Sequence, residues 1–317
     1  MRRIAGMAAL AAACVAAPGF AGEADKDAVV VAAPAMEEVL TMRVDGEITV
    51  DATGKVVGHA LKTELQPKLR ELIDKAMLTW VFFPPVVNGK PTAVKSDMRI
   101  TLLGKKAGDG YDVTIDNVLF SRADFRDWSV PKRGEKEKKN SARTTADGVS
   151  LSIKTMKPRP RYPQHWNVNG IVTILVNIAP DGRIIDAVST QCSLYFAGGT
   201  PIQRQRACRT LEDSAASAIK QWTVTIDGHG KPVAPIARSG TVPLHYVMVG
   251  PHAEAIEKAS QPGNWRLESR TPYRLPAWAR GDRFAQRMGT SDSVGSGELM
   301  STESALRLRD GQAGTVL

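Results

Sequence analysis

Residues 170–185 read Gly170-Ile-Val-Thr-Ile-Leu-Val-Asn-Ile-Ala-Pro-Asp-Gly182-Arg-Ile-Ile185. Val172, Ile174, Val176 and Ile178 fall on one side of an extended chain, the two-residue period of a half-buried strand. Pro180-Asp181-Gly182 breaks the run, because proline fixes φ early in a turn and glycine supplies a positive φ. Arg183 to Val188 then returns as the second arm of an antiparallel hairpin. Downstream, Leu211, Ala215, Ala218, Ile219 and Trp222 recur at helical spacing and give the helix an apolar stripe for the sheet. Trp222 closes that helix and packs over the sheet. Gly230-Lys-Pro232 and an apolar strand, Thr241 to Val247, complete the unit.

The same order occurs once before. Gly46-Glu-Ile-Thr-Val-Asp-Ala-Thr-Gly54-Lys-Val-Val57 leads to a helix ending at Trp80, then Phe82-Phe-Pro-Pro85, Asn88-Gly-Lys-Pro91 and a strand near Met98 to Leu103. Gly54 thus matches Gly182, Trp80 matches Trp222, and the Gly-Lys-Pro triplets match each other, which is an internal repeat. Tyr111 to Phe120 alternates and reads as a strand added to the first copy. The expected fold is α+β: two domains, 37–120 and 151–249, each a small antiparallel sheet with helices packed on one face. Residues 121–150 read as a polar linker. Residues 250–317, rich in Arg, Gly, Ser and Pro, read as a largely disordered tail with a short docking segment around Trp265 to Trp278.

Hydrophobic content of 43% and charged content of 24% are ordinary globular values. The net charge of +9 is scattered, with no stripe of Arg and Lys interleaved with aromatics, so nucleic acid is not an expected partner. The densest basic run, Lys132 to Lys139, contains its own Glu135 and Glu137 and reads as solvated. At the N-terminus Arg2 and Arg3 precede an apolar run, Ile4 to Ala17, and Gly19-Phe20-Ala21 offers small residues for cleavage. That is the layout of a secretory signal peptide over 1–21, hence a periplasmic chain. The alternatives are an uncleaved N-terminus anchored in the inner membrane, and lipidation at Cys14, for which Leu10 sits one place too early.

Cleavage leaves Cys192 and Cys208 as the only cysteines, and an exported chain with such a pair is expected to join them. Both lie where the second copy is longer than the first. The five histidines show no HxxxH pair, and no GxSxG, phosphate loop or paired-carboxylate motif occurs. No catalytic residue, metal site, cofactor or small-molecule substrate is expected, and the chain reads as a binding protein.

Pro160-Arg161-Tyr162-Pro163, then the Gly170 strand, the Pro-Asp-Gly turn, the helix to Trp222, Gly-Lys-Pro and a last strand to Tyr246 resemble the C-terminal domain of the TonB energy-transducer family. The resemblance covers about 156–249, and more weakly 42–103, where the Tyr-Pro lead-in is missing. It implies a sheet of about three strands with two helices on one face. It also implies that a partner peptide adds as an extra strand on an exposed edge. Carried over by position, that edge is Thr241 to Val247, with Val242, Leu244 and Tyr246 as partner contacts and Pro160, Tyr162 and Pro163 beside it. Tyr162 also reads simply as a structural anchor. The implied partner is an envelope protein or receptor peptide, and a homodimer is possible. The family's alternative function is coupling a proton motor to outer-membrane transport. The weakly apolar start and the lack of a Pro-rich rod favour the binding role.

Overall fold

In strand β1, Glu37–Val50, Met42, Val44, Gly46, Ile48 and Val50 point to one face and Val39, Thr41, Arg43, Asp45 and Glu47 to the other. The apolar face of β1 is covered by helix α1, and this sets the layering of the whole molecule. The structure is a computed structural model that describes residues 36–87, 90–121, 143–144, 149–162, 168–195, 198–228, 232–247, 253–279, 296–301, 306–310 and 317.

After β1 come β2 (Val56–Leu61), α1 (Pro67–Leu78), β3 (Val81–Phe82), β4 (Val86–Val87), β5 (Lys90–Pro91), β6 (Val94–Ala107) and β7 (Gly110–Ser121). The short β8 (Arg143–Thr144) and β9 (Ser150–Thr155) lead to β10 (Asn169–Ile178), β11 (Ile184–Tyr195), α2 (Pro201–Ile219), β12 (Thr223–Asp227) and β13 (Ser239–Tyr246). The chain ends with α3 (Ala253–Ala259), β14 (Arg266–Arg270), β15 (Met300–Ser301) and β16 (Leu308–Asp310).

The protein is mixed α+β and dominated by one antiparallel sheet of nine strands, in the order β15-β13-β10-β11-β14-β1-β6-β7, with β2 also paired to β1. Both ranges expected as separate domains contribute to it. In the first, β1 lies between β2 and β6; in the second, β10 lies between β11 and β13. The repeat extends to single hydrogen bonds. Gly54 and Gly182 both have positive φ, at 92° and 85°. The Gly54 carbonyl accepts from Phe82 N–H and the Gly182 carbonyl from Val224 N–H, both at 2.8 Å. A Cβ at either glycine would stand 2.1 Å from the facing carbonyl oxygen, of Phe82 or of Val224, so no other residue fits. Trp80 and Trp222 close their helices and are 2% and 1% exposed.

Each copy has its own core on the same face of the sheet: Ile73, Met77, Trp80 and Phe82 against β1 and β6, and Leu211, Ala215, Ile219 and Trp222 against β10, β11 and β13. The helices start differently. Helix α2 begins with a full capping box between Thr200 and Gln203, whereas α1 begins at Pro67 with no side-chain cap from Gln66. Cys192 of β11 and Cys208 of α2 form a disulfide, with their Cα atoms 5.8 Å apart.

The expectation of a largely disordered tail is corrected for the described residues after 250. Strand β14 lies in the middle of the sheet, pairing with β1 from Glu37–Arg270 to Thr41–Arg266 and with β11 from Ser193–Arg270 to Tyr195–Glu268. Leu267 and Ser269 share the face that carries α1 and α2, so Arg266, Glu268 and Arg270 fall on the opposite face, where Ile256 of α3 packs with Ile171 and Tyr195. There Glu268 accepts from Arg266 and from Thr41 Oγ, and the Arg266 guanidinium lies 3.8 Å from the Tyr195 ring centre. Arg270 reaches Glu37 and Asp116, strapping β14 to β1 and β7. Burial raises the Asp116 carboxyl pKa against the pull of Arg270. The chain then runs on along β11: Thr271 N–H donates to Cys192 O, Arg274 to Glu212 of α2, and Trp278 Nε1 to Asp186. A sequence scan for apolar alternation passes over β14 because its buried positions are charged or polar rather than apolar. The expected signal segment 1–21 and nearly all of the expected linker lie outside the described residues.

Candidate functional site

The resemblance points to strand β13. Its inner side pairs with β10 along its length, from Asn177–Ser239 to Gly170–Tyr246. Val242, Leu244 and Tyr246 are 1%, 6% and 5% exposed and turn into the core beneath α2. Tyr246 donates its hydroxyl to the Leu211 carbonyl at 3.2 Å, and burial pushes its pKa up to about 12. These three residues therefore shape the strand from within, and their side chains do not face outward. Their backbone groups do not face outward either. The Pro243 carbonyl and the His245 N–H bond to residues on the outer side, and alternation turns those of 242, 244 and 246 toward β10. The outer contacts belong to Thr241, Pro243 and His245, one step out of register with the expected set.

The outer side of β13 holds residues 296–301 of the same chain. Strand β15 pairs Met300 with Thr241 and Ser301 with Gly240. Gly297 N–H donates to the Pro243 carbonyl at 2.7 Å, and His245 N–H donates to Ser296 Oγ at 3.0 Å. Leu299 is 5% exposed and joins the core beneath α2. Pro243 has no N–H to offer, and it is tolerated here because the position faces the outer side. The sequence missed this segment. Its only signal is a Leu-Met pair after Gly297 in a polar stretch, too short for any periodicity to register.

The lead-in residues are placed elsewhere. Tyr162 donates its hydroxyl to the Val168 carbonyl at 2.6 Å and accepts from Val168 N–H at 3.2 Å, which locks the start of β10. Burial raises the Tyr162 pKa. Its ring centre lies 6.2 Å from that of Tyr246, tilted by 46°. Trp222 Nε1 donates to the Pro158 carbonyl, and the Arg161 backbone exchanges hydrogen bonds with Ser214 of α2. Tyr162 is thus an anchor that packs with Tyr246 on the α2 side. Pro160 is half-buried in the same segment, and Pro163 lies outside the described residues.

The other end of the sheet differs. On β6, the counterpart of β13, strand β7 pairs from Asp97–Ser121 to Ala107–Gly110. The register slips between Thr101 and Leu102, so Asp116 forms a bulge, and Leu317 N–H donates to the Val113 carbonyl at 3.0 Å. A bulge and the exposed acidic Asp109 and Asp112 are devices that discourage further pairing at an edge. Comparison with protein-family models, with curated proteins and with solved structures found no match for this chain.

Proposed function

We propose that the chain is an exported cell-envelope protein that binds another protein by strand addition at the outer side of β13. One observation carries this reading: β6 and β13 hold equivalent places in the two copies, yet the outer side of β6 takes the twelve-residue β7 while, among the described residues, that of β13 takes the two-residue β15. A partner strand here gains main-chain hydrogen bonds to Thr241, Pro243 and His245, and pockets along the strand supply selectivity. The Cys192–Cys208 disulfide supports an oxidising compartment such as the periplasm. Among the described residues no helix is long and apolar enough to cross a membrane. The resemblance of 156–249 to the TonB C-terminal domain supports the same reading, with a receptor peptide as the partner class.

The test is site-specific photocrosslinking in the native envelope. A crosslinking residue at Thr241 should capture an extended segment of one envelope protein, while the same residue at Leu78, exposed on α1, should not. Identical products from both positions, or a mature chain recovered in the cytoplasm with 1–21 intact, would overturn the proposal.

A further inference from the structure

The outer side of β13 is fitted to its own chain. Gly240 has no side chain where the segment passes: a Cβ there would stand 2.5 Å from Met300 O and 2.6 Å from Leu299 Cδ1. Gly297 turns the chain with a φ of 75°, and a Cβ on it would stand 3.0 Å from Met156 Cε. Leu299 is inserted among the apolar side chains under α2 rather than lying on the surface. Two glycines and one buried leucine make this a shaped contact, and among the described residues its ladder joins Gly240 to Ser301 and Thr241 to Met300.

We infer that residues 296–301 are a built-in occupant of the binding edge, and that the partner is an extended peptide matching their register. The inference rests on the strand-addition reading. The peptide runs antiparallel to β13. It places a glycine where Gly297 donates to Pro243 O, an aliphatic side chain in the Leu299 slot, and an extended residue opposite Thr241. The resident segment occupies the site in the free protein, so the partner binds only to the fraction in which the segment has left. Its apparent affinity falls by that fraction. The exchange is between matched strands, since the incoming peptide takes over the hydrogen bonds that the resident segment makes to Thr241, Pro243 and His245.

The experiment uses the full mature chain and a fluorescein-labelled peptide carrying the sequence of residues 294–303. Leu299→Asp buries a carboxylate in the slot and expels the segment, and Gly297→Val expels it by a separate route, through the strained φ. Fluorescence anisotropy should show each variant binding the peptide at least roughly tenfold more tightly than wild type. A peptide with Asp at the Leu299 position should bind none of them. Hydrogen exchange at the His245 amide, slowed in wild type by Ser296 Oγ, should speed up in both variants while their melting stays cooperative. The inference falls if wild type and variants bind the peptide alike, if the released variants bind none of it, or if the His245 amide stays protected in both. Peptide binding with no partner captured from Thr241 would instead sink the proposed function and leave the resident segment standing. A captured partner without peptide binding would do the reverse.

Discussion

The two copies share a skeleton and differ in what has been added to it. Both build a hairpin whose glycine carbonyl, Gly54 or Gly182, accepts from the residue two past a buried tryptophan. The first copy is finished with plain sheet: β7 covers β6, and α1 starts without a side-chain cap. The second copy is finished with fixtures: a capping box, a disulfide, and six tail residues on β13. The shared parts hold the structure together, and under the proposed function the copy finished with separate pieces is the one that offers an edge.

If the skeleton is shared, damage to it should cost the same on either side. Trp80→Ala and Trp222→Ala each remove a fully buried ring and should each lower stability by about 3–5 kcal/mol in urea melts. A cost above about 3 kcal/mol for one and under about 1 for the other would break the equivalence. The disulfide has no counterpart in the first copy. Replacing Cys192 and Cys208 by Ala should cost about 3 kcal/mol in the chain-entropy account, and calorimetry of the reduced and oxidised protein reads it directly. An unchanged melting temperature would mean the insertion is held by packing alone. Gly54→Ala and Gly182→Ala meet the same carbonyl contact and the same positive φ, so each should cost about 1–3 kcal/mol, with the pair of values within error of each other. Capping separates the helices again: Thr200→Ala should cost about 1 kcal/mol, while Gln66→Ala should cost nothing measurable.

The remaining effect is alkaline. Burial raises the pKa of Tyr246 to about 12 from an ordinary value of 10.0. The folded protein therefore holds that proton over a range where the unfolded chain releases it, and this contribution is complete below pH 10 and is lost as pH rises toward 12. Tyr162 shifts the same way through burial. Both belong to the second copy, so Tyr246→Phe should flatten the fall in stability above pH 10, with tyrosinate absorbance followed in parallel. A slope identical to wild type would remove Tyr246 from the account.

What the sequence made legible was the skeleton. Gly182, Trp222, the alternation of Val172 to Ile178 and the cysteine pair act locally, through turn geometry, strand period or the lack of any other thiol, and each shows in a short window. The copies' joining through β14 did not show. Glu268 and Arg270 are buried by pairing with Thr41, Glu37 and Asp116 more than a hundred residues away, and no local pattern announces such partners. The site was half legible. Strand β13 was marked as the candidate by its apolar run and Pro243, but the same run led to the inward-facing 242, 244 and 246. The outward residues are read only once the neighbours of β13 are known.

The position of β14 also sets an order of assembly. The strand that joins the two copies is made after both of them, and to cover the inner edge of β1 it must close a loop from Glu37 to Arg270. Contacts so distant in sequence form late, because chain entropy is lost before the pairing repays it. Until residue 270 has emerged, the first five residues of β1 and the end of β11 stand open, the state in which unpaired edges find wrong partners. The final fifth of the chain is thus the closing piece of the sheet, and a protein cut before it would hold two unfinished halves.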